Sequence, residues 1–310
     1  MKHAVSLLGS SPPRATRTLG AILIDAGQLT AEDAERVLQY QKQHNLRFGE
    51  AAVRLGLISE ADIQYALSRQ FAYAYLRKTP GETRPLSDEL VAAYQPFSTS
   101  VEQLRAIRSQ LMLRWFDKAD ERQVLTIVGA ERGEGRSYLA ANLAIVFSQL
   151  GERTLLVDAD MRAPRQHFLF FLENQIGFST LLAGRSREEA IVRIPDLAGL
   201  SVLPAGPTPP NPLELLNRLN FDEFMIQVKT AYDVVIVDTP ALCIGEDAAM
   251  IAVRTGAALA VARSGATRVD AFTDLVQGLM DAGVSVVGSV LNEVPLKKSK
   301  KSKKSKKSKQ

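Results

Sequence analysis

The hydrophobic positions of the chain follow two different patterns. Between residues 17 and 71, apolar residues recur at the three- and four-residue spacing of amphipathic helices. From Val124 onward, short apolar runs such as VLTIVGA, TLLV, VVIV and AALAVA alternate with helical stretches. Apolar runs without polar alternation are typical of parallel strands that are covered on both faces. The pattern predicts a small helical domain and then an α/β domain with a doubly wound, mostly parallel sheet flanked by helices.

The helical part contains an internal repeat with an offset of 29 residues. The segment LGAILIDAGQLTAEDAERVLQYQ, residues 19–41, matches FGEAAVRLGLISEADIQYALSRQ, residues 48–70. In each copy a short helix ends at a glycine, and a capping residue begins the next helix. Thr30 and Ser59 are the predicted N-caps, each followed three residues later by an aspartate in a capping-box arrangement. The repeat predicts one tandem-repeat domain over residues 17–77.

The loop after the first apolar run carries a phosphate-binding motif. AERGEGRS, from Ala130 to Ser137, follows a predicted strand and begins an apolar helix, which is the context that a Walker A motif requires. Gly133 and Gly135 allow backbone N–H groups to turn toward phosphate oxygens, and the helix N-terminus adds a positive dipole. Arg136 occupies the lysine position of the motif. Because a planar guanidinium differs from a compact ammonium, we expect nucleotide binding to tolerate this change better than phosphoryl transfer does.

Three aspartates stand at the ends of two further apolar runs. Asp158 and Asp160 follow TLLV, and Asp238 follows VVIV. The carboxyl ends of parallel strands meet at one edge of a sheet, which is where open α/β sheets bind ligands. An isolated strand-end aspartate is more often a cap than a metal ligand, but three in this arrangement favour a metal site. The sequence therefore predicts a P-loop site for ATP and Mg²⁺.

Composition changes this picture only at the ends of the chain. The net charge is +4, but nine lysines lie in the last fourteen residues, so the remainder is mildly acidic and nucleic acid is not the expected partner. We expect disorder over residues 1–16 and 297–310, and a proline-containing linker over 78–98. The lysine tail is either a solubilising end or cloning artefact, or a patch for anionic lipid, where each lysine adds about 1 kcal/mol. The single Cys243 and the lack of a membrane-length apolar run favour the cytoplasm.

The repeat resembles the cyclic-di-GMP-binding N-terminal domain of type II secretion and pilus ATPases, the MshEN type, whose twin motif is RLGxxLVxxGxLxxxxLxxxLxxQ. This sequence departs from the motif at Thr18, in the first arginine position, and at Phe48, in the second leucine position. The alternative is a helical docking module that has the fold without the ligand. The resemblance implies dinucleotide contacts at Leu19, Gly20, Gln41, Arg47, Gly49 and Gln70.

The P-loop domain, residues 99–296, resembles the bacterial tyrosine kinases of polysaccharide chain-length control, in particular their EpsG-like branch. The shared segments are GEGRS, LLVDADMRAPRQH, VVIVDTP, LPAGPTPPNPLELL and EQLRAIR. The resemblance implies a tyrosine autokinase at the inner face of the membrane that works with a transmembrane chain-length determinant in exopolysaccharide export. It also implies a homo-oligomeric ring packed through Glu102, Arg105 and Arg108, for which the alternative is a solvated helix face.

We assign roles at the nucleotide site on this basis. Arg136 is expected at the β and γ phosphates, Ser137 and Asp160 at Mg²⁺, and Asp238 at Mg²⁺ through water. Asp158 is expected to position the incoming tyrosine hydroxyl or to accept its proton. Asn292 is assigned to adenine, with a strand-end cap as the alternative. The full nucleotide set is Ala130, Gly133, Glu134, Gly135, Arg136, Ser137, Tyr138, Asp238 and Asn292.

Two features of the sequence bear on the alternatives to a tyrosine autokinase. Glu131 stands where the partitioning and division-site ATPases, the ParA and MinD group, carry a signature lysine, which argues against that branch. The tyrosine cluster that usually ends the kinases is missing, since the last tyrosine is Tyr232, so Tyr73, Tyr75 or another protein would be the target. The alternatives are a non-catalytic module that binds ATP and senses cyclic-di-GMP, and a partitioning-type ATPase that uses its basic tail on DNA.

Overall fold

The computed structural model describes residues 18–70, 75–76, 86–118, 123–185 and 188–293, without the side chains of Ala61, Ser68 and Arg69. The predicted disordered ends and the first part of the predicted linker, 78–85, lie outside these residues, as does Tyr73. The described part forms a four-helix N-terminal unit and an α/β domain. None of its helices combines the length and the apolar character needed to cross a membrane.

The N-terminal unit follows the predicted repeat. Gly27 and Gly56 end its short helices with φ angles of 68° and 69°, in the left-handed region that favours glycine. Thr30 caps the next helix by accepting a hydrogen bond from the Asp33 amide at 3.1 Å, and Ser59 does the same for Asp62 at 3.3 Å. The predicted caps are therefore confirmed in both copies. The helices are α1 Leu19–Asp25, α2 Ala31–His44, α3 Phe48–Arg54 and α4 Glu60–Gln70.

The two copies of the repeat exchange partners. Helix α1 of the first copy packs against α4 of the second, and α3 of the second packs against α2 of the first. Two glycines make the close approaches: a Cβ atom on Gly20 would lie 3.1 Å from the ring of Phe48, and one on Gly49 would lie 2.9 Å from Ile63 Cδ1. One shared core, which includes Leu23, results. A side chain at either position would have to displace Phe48 or Ile63, so helix packing favours glycine at both.

The α/β domain is built on one seven-stranded sheet in the order β3-β4-β2-β5-β1-β6-β7. Every neighbouring pair is parallel except β3 with β4, which is the antiparallel edge. This confirms the predicted fold class. The strands are β1 Val124–Gly129, β2 Thr154–Asp158, β3 Val192–Arg193, β4 Leu200–Leu203, β5 Val234–Asp238, β6 Ala257–Arg263 and β7 Ser285–Asn292.

Helices cover both faces of the sheet. On one face α7 lies between the sheet and helices α5 and α6, so it is apolar all round rather than amphipathic. On the other face, α9 to α11 and α12 to α13 close two further clusters of buried residues. These helices are α5 Val91–Tyr94, α6 Thr99–Arg114, α7 Arg136–Ser148, α8 Gln166–Leu169, α9 Phe178–Leu182, α10 Pro212–Leu216, α11 Leu219–Ala231, α12 Asp247–Thr255 and α13 Val269–Asp281.

The second half of the predicted linker is part of the α/β domain, which corrects the 78–98 boundary. From Leu86 to Tyr94 the chain packs into the cluster that contains α7, and Leu90 is fully buried. Its buried backbone finds partners on that helix: Asn142 Oδ1 accepts from the Ala92 amide at 2.9 Å, and Asn142 Nδ2 donates to the Glu89 carbonyl at 3.1 Å. The apolar residues of LSDELVAAY determine this packing, whereas the prolines alone had indicated a linker. We call residues 86–94 the strap.

The Asn142 contacts give a stability prediction. Asn142→Ala leaves buried strap groups without hydrogen-bond partners, so we expect the free energy of unfolding to fall by about 1 to 3 kcal/mol. Urea unfolding followed by the fluorescence of Trp115, the single tryptophan and a member of the same cluster, measures this. Gln103→Ala, on the exposed face of α6, is the control and should change stability by less than about 0.5 kcal/mol. Equal changes in the two variants would contradict the contact.

Candidate nucleotide site

The phosphate loop lies between β1 and α7, and the last residue of β7 contacts it. Gly133 and Gly135 have φ angles of 79° and 95°, so both use the backbone freedom of glycine. A Cβ atom on Gly135 would also collide with Nδ2 of Asn292, the last residue of β7. That Nδ2 donates to the Glu134 carbonyl at 2.9 Å. Asn292 thus braces the loop, while its assigned contact with adenine stays a prediction.

The side chain of Glu134 turns into the protein. It is 2% exposed, and its Oε1 accepts a hydrogen bond from the Thr267 hydroxyl at 2.6 Å. Its Oε2 lies 3.6 Å from Nη1 of Arg136. A Cβ atom on Gly129 would collide with this carboxylate, which explains a glycine at the end of β1. Only the backbone of Glu134 is therefore left to face a phosphate.

Arg136 is folded against its own loop. Its Nη1 donates to the Glu131 carbonyl at 2.6 Å and its Nε to the Thr239 carbonyl at 3.1 Å. The guanidinium fork thus satisfies two carbonyls that a lysine could not bridge in the same way. Arginine at this position is structurally integrated into the site, and its contact with the β and γ phosphates stays a prediction.

Asp158 and Asp238 face each other across neighbouring strands. They are register partners at the ends of β2 and β5, and both are fully buried. Asp158 Oδ2 accepts from the backbone amides of Arg165 at 2.9 Å and Gln166 at 2.8 Å. The Ser137 side chain at the start of α7 lies close enough to Asp238 to lower the pKa of its carboxyl group. The structure therefore brings both carboxylates to the phosphate loop.

Asp160 lies beside this pair and shapes its own turn. Its Oδ1 accepts from the amides of Arg162 at 3.2 Å and Ala163 at 2.8 Å, and the residue is 6% exposed. Its charge contributes to raising the pKa of both Asp158 and Asp238. Asp160 is thus part of one negatively charged group of three residues.

The close approach of these carboxylates changes their protonation. Burial raises the pKa of Asp158 well above its usual value, and the charge of Asp238 raises it further. Burial also raises the pKa of Asp238 to about 6, against hydrogen bonds from Gln166 and Ser137 and the charge of Arg136. A cation at this edge would reverse both shifts, so its binding should release protons.

The residues present fit a nucleotide with Mg²⁺. The glycine loop and the start of α7 form a backbone cradle, and the Ser137 hydroxyl and the aspartates provide hard oxygen donors. Asp238 Oδ1 is buried without a hydrogen-bond partner, which leaves one acceptor available at the site. Over the described ranges, no three His, Cys, Asp or Glu residues form a metal site on their own. Mg²⁺ takes few protein ligands and completes its shell with phosphate and water, so the Ser137 hydroxyl and the aspartates would be enough to hold it.

Two polar residues of the site escaped the sequence analysis. Thr239 donates its hydroxyl to the Ile127 carbonyl at 2.7 Å and so ties the end of β5 to β1. Gln166 donates Nε2 to the Asp238 Oδ2 at 2.8 Å and to the Ser137 carbonyl at 3.1 Å. The only sequence signal for either is its place inside the quoted motifs VVIVDTP and LLVDADMRAPRQH.

The remaining nucleotide residues lie around the loop. The Ala130 carbonyl accepts from the amide of Cys243, whose exposed side chain follows β5. Burial, and then the charge of Glu89, raises the pKa of the Tyr138 hydroxyl in the first turn of α7. A separate cavity of about 790 Å³ opens at the amino ends of the strands, beside Gly199 and Tyr232, and is unrelated to the phosphate loop.

The three residues predicted at subunit contacts all make contacts within the chain. Arg105 pairs with Glu102 on α6 and donates to the Tyr75 hydroxyl. Arg108 Nη1 donates to the Val146 carbonyl at 2.7 Å. These residues attach α6 to α7 and to the chain that enters the domain. Their role between subunits stays a prediction.

The residues predicted at cyclic-di-GMP lie at helix ends of the N-terminal unit. Leu19 and Gly20 begin α1, and Arg47 is the exposed N-cap of α3, two residues before the buried Gly49, which approaches Ile63. The two glutamines lie in the last turns of the longer helices, Gln41 in α2 and Gln70 at the end of α4.

Comparison with known proteins defines the family. Residues 125–309 match the family model described as the CobQ/CobB/MinD/ParA nucleotide binding domain. The chain is 35% identical over 223 residues to tyrosine-protein kinase YwqD of Bacillus subtilis, which covers 72% of this chain and 92% of YwqD. The chain belongs to the bacterial tyrosine-protein kinase family.

Solved structures of this kinase family share the architecture. The kinase domain of Escherichia coli ETK has a TM-score of 0.65 at 32% identity, covering 70% of this chain and 84% of that structure. The chimerical protein CapA2B2 has a TM-score of 0.63 at 33% identity, covering 74% of this chain and 99% of that structure. The chain spans only 28% of the full-length Escherichia coli kinase etk, to which it is 34% identical over 204 residues. Membership in the kinase family favours a kinase over a partitioning-type ATPase.

The paired carboxylates of the site give a pH prediction. A carboxyl group whose pKa is higher in the native protein than in the unfolded chain stabilises the native state below about pH 4. This stabilisation is lost as the pH rises through the native pKa, which is about 6 for Asp238. Without Mg²⁺ and nucleotide, we therefore expect the protein to be less stable at about pH 8 than at about pH 5. Asp238→Asn should remove much of that loss, because the amide fits the same space without the charge.

Urea unfolding at the two pH values measures this difference. Asp270→Asn is the matched control, since Asp270 is exposed and its pKa is lowered by Arg268. The control should keep the pH dependence of the wild type. If Asp238→Asn kept it as well, the electrostatic account of the site would be wrong.

Proposed function

We propose that the chain is an ATP- and Mg²⁺-dependent protein tyrosine kinase that acts with a transmembrane chain-length determinant in exopolysaccharide biosynthesis and export. The observation that carries this proposal is the register pairing of Asp158 with Asp238 directly beside Ser137. This arrangement gathers a nucleophile-positioning carboxylate, a metal-binding carboxylate and a phosphate-loop hydroxyl in one place. Membership in the kinase family and the resemblance of EQLRAIR and LPAGPTPPNPLELL support the same function.

In the proposed reaction, the tyrosine oxygen forms a bond to the γ-phosphorus while the bond from that phosphorus to the ADP oxygen breaks. The tyrosine proton passes to Asp158, whose raised pKa makes it a stronger base than an exposed aspartate. Backbone amides of the phosphate loop and the start of α7 hold the phosphates. Ser137 and Asp160, with Asp238 through water, would hold Mg²⁺, which supplies charge neutralisation of the phosphates.

The target tyrosine and the assembly are part of the proposal. The phosphate acceptor in this proposal is a tyrosine of this chain or of another protein. Tyr75 is one such tyrosine, and its hydroxyl is held by Arg105. We place the kinase at the inner face of the membrane, with the lysine tail on anionic lipid and subunits packed through α6.

Phosphotransfer with labelled ATP tests the kinase function. Purified protein with Mg²⁺ and γ-labelled ATP, with and without the cytoplasmic segment of the membrane partner, should yield phosphotyrosine. Asp158→Asn should lower the rate by about 100-fold or more while ATP binding stays within about threefold. The control is Asp274→Asn, on the exposed face of α13, which should leave the rate unchanged. Absence of phosphotyrosine in every condition would remove the proposal in favour of a non-catalytic ATP-binding module.

We further propose that the N-terminal unit binds cyclic-di-GMP. The crosswise packing favours it, because the helix with the motif glycine of each copy packs on the helix with the glutamine of the other copy. Helix α1, which carries Gly20, packs on α4, which carries Gln70, while α3, which carries Gly49, packs on α2, which carries Gln41. Arg47 is exposed at the N-cap of α3 and is free to meet an anionic ligand with its guanidinium.

A route for regulation of the kinase runs through the strap. The Leu76 amide donates to the Ala93 carbonyl at 2.9 Å, so the chain that leaves the repeat is fixed to the α/β domain. Farther along, Glu89 accepts two hydrogen bonds from Arg165 Nη2, at 2.7 and 2.6 Å. The amide of the same Arg165 donates to Asp158. This continuity supports a sensor unit that acts on the catalytic carboxylate.

Calorimetric titration with cyclic-di-GMP tests the sensor. We expect micromolar binding that weakens by about tenfold or more in Arg47→Ala, because a charge-assisted contact to the phosphate is lost. Arg54→Ala removes the same charge from the other end of α3, where Arg54 makes only an exposed pair with Glu50, and should leave the affinity unchanged. If the wild type shows no binding, the sensing function is excluded and the unit is a docking module.

A further inference from the structure

Gln166 connects three parts of the nucleotide site. It is the first residue of α8 and is fully buried. Its backbone amide donates to Asp158 Oδ2 at the end of β2, and its Nε2 donates to Asp238 Oδ2 at the end of β5. The same Nε2 donates to the Ser137 carbonyl in the first turn of α7. One side chain thus spans the gap between both carboxylates and the phosphate loop.

The orientation of the Gln166 amide is determined by these neighbours. Both groups near Nε2 are acceptors, a carboxylate and a carbonyl, so the reversed amide would place its oxygen against two other oxygens. The Oε1 atom therefore points elsewhere, and it is buried without a hydrogen-bond partner. Asp238 Oδ1 is also buried without a hydrogen-bond partner, while the other oxygen of that carboxylate accepts from Gln166. Two buried acceptors on two hydrogen-bonded side chains each lack a donor.

Burying an acceptor without a donor is costly, and functional sites are where such atoms persist. Gln166 Oε1 is an amide oxygen and Asp238 Oδ1 is a carboxylate oxygen. Both can accept hydrogen bonds from the water molecules that a hydrated divalent cation keeps. We propose that Gln166 is a positioning residue of the kinase: it fixes Asp238, and with Asp238 Oδ1 its Oε1 accepts from the hydrated Mg²⁺ that enters with ATP. This inference rests on the proposed ATP- and Mg²⁺-dependent function.

The Mg²⁺ dependence of nucleotide binding tests this role separately from activity. The affinity of a fluorescent, non-hydrolysable ATP analogue is measured in Mg²⁺ and in EDTA, and the ratio of the two affinities is the readout. In Gln166→Met, which keeps the backbone bond to Asp158, this ratio should fall by about tenfold or more, as for other outer-shell partners of metals. Affinity in EDTA should stay within about twofold of the wild type, because the loop that holds the phosphates is intact.

A matched control separates positioning from packing. Gln149→Met makes the same change at the C-cap of α7, where Gln149 Nε2 donates to the Ala92 carbonyl at 3.0 Å, away from the carboxylates. It should lower stability and leave the Mg²⁺ ratio unchanged. A Gln166→Met protein that loses affinity equally in Mg²⁺ and EDTA, or that keeps the wild-type ratio, would overturn the inference.

Two further outcomes are also decisive. If Trp115 fluorescence shows that Gln166→Met does not fold, Gln166→Asn, whose shorter side chain withdraws the amide, is measured in the same way with the same expectation. If the wild type transfers no phosphate but the Mg²⁺ ratio still falls in Gln166→Met, the kinase proposal fails while the role of Gln166 stands. If the wild type transfers phosphate but Gln166→Met keeps the wild-type Mg²⁺ ratio, the kinase proposal stands and the role of Gln166 is wrong.

Discussion

The structure depends on one unfavourable contact, the burial of two carboxylates side by side at the ends of β2 and β5. The sheet order creates it, because β5 is inserted between β2 and β1 and brings Asp238 into register with Asp158. Several neighbouring groups donate hydrogen bonds to these two side chains, including backbone amides after β2 and the side chain of Gln166. The rest of the α/β domain is packed tightly enough to hold like charges together, a common conflict between stability and function at active sites.

The layers around the sheet explain how that conflict is contained. Helix α7 presents the phosphate loop at its start and is buried along its whole length. Asn142 then provides hydrogen bonds to the strap from within this apolar surface. The helix that positions the reacting groups is therefore also the one that anchors the chain entering the domain. The strap is thus tied to α7 through Asn142 and to the chain after β2 through Arg165.

Sequence alone predicted the features that depend on local chemistry. The phosphate loop, the three strand-end aspartates, the parallel sheet and the caps at Thr30 and Ser59 each follow from residue type and spacing. The strand order, the register of Asp158 with Asp238 and the inward turn of Glu134 depend on long-range packing, which no local pattern encodes. Gln166 escaped notice because an uncharged side chain gains its importance from neighbours distant in sequence. The strap was misassigned because the prolines on either side of it were given more weight than its apolar residues.

The exchange of helices between the two repeat copies has a consequence for ligand shape. Swapping the copies maps the pair α1 with α4 onto the pair α3 with α2, so the unit carries an approximate internal dyad. The two copies share one hydrophobic core, so neither forms it alone. A seam, meaning the surface where the two copies meet, therefore presents two similar faces. The natural complement to such a seam is a molecule with two-fold symmetry of its own. Thr18 and Arg47 break the equivalence at corresponding positions, so one half of a symmetric ligand would meet a hydroxyl where the other meets a guanidinium.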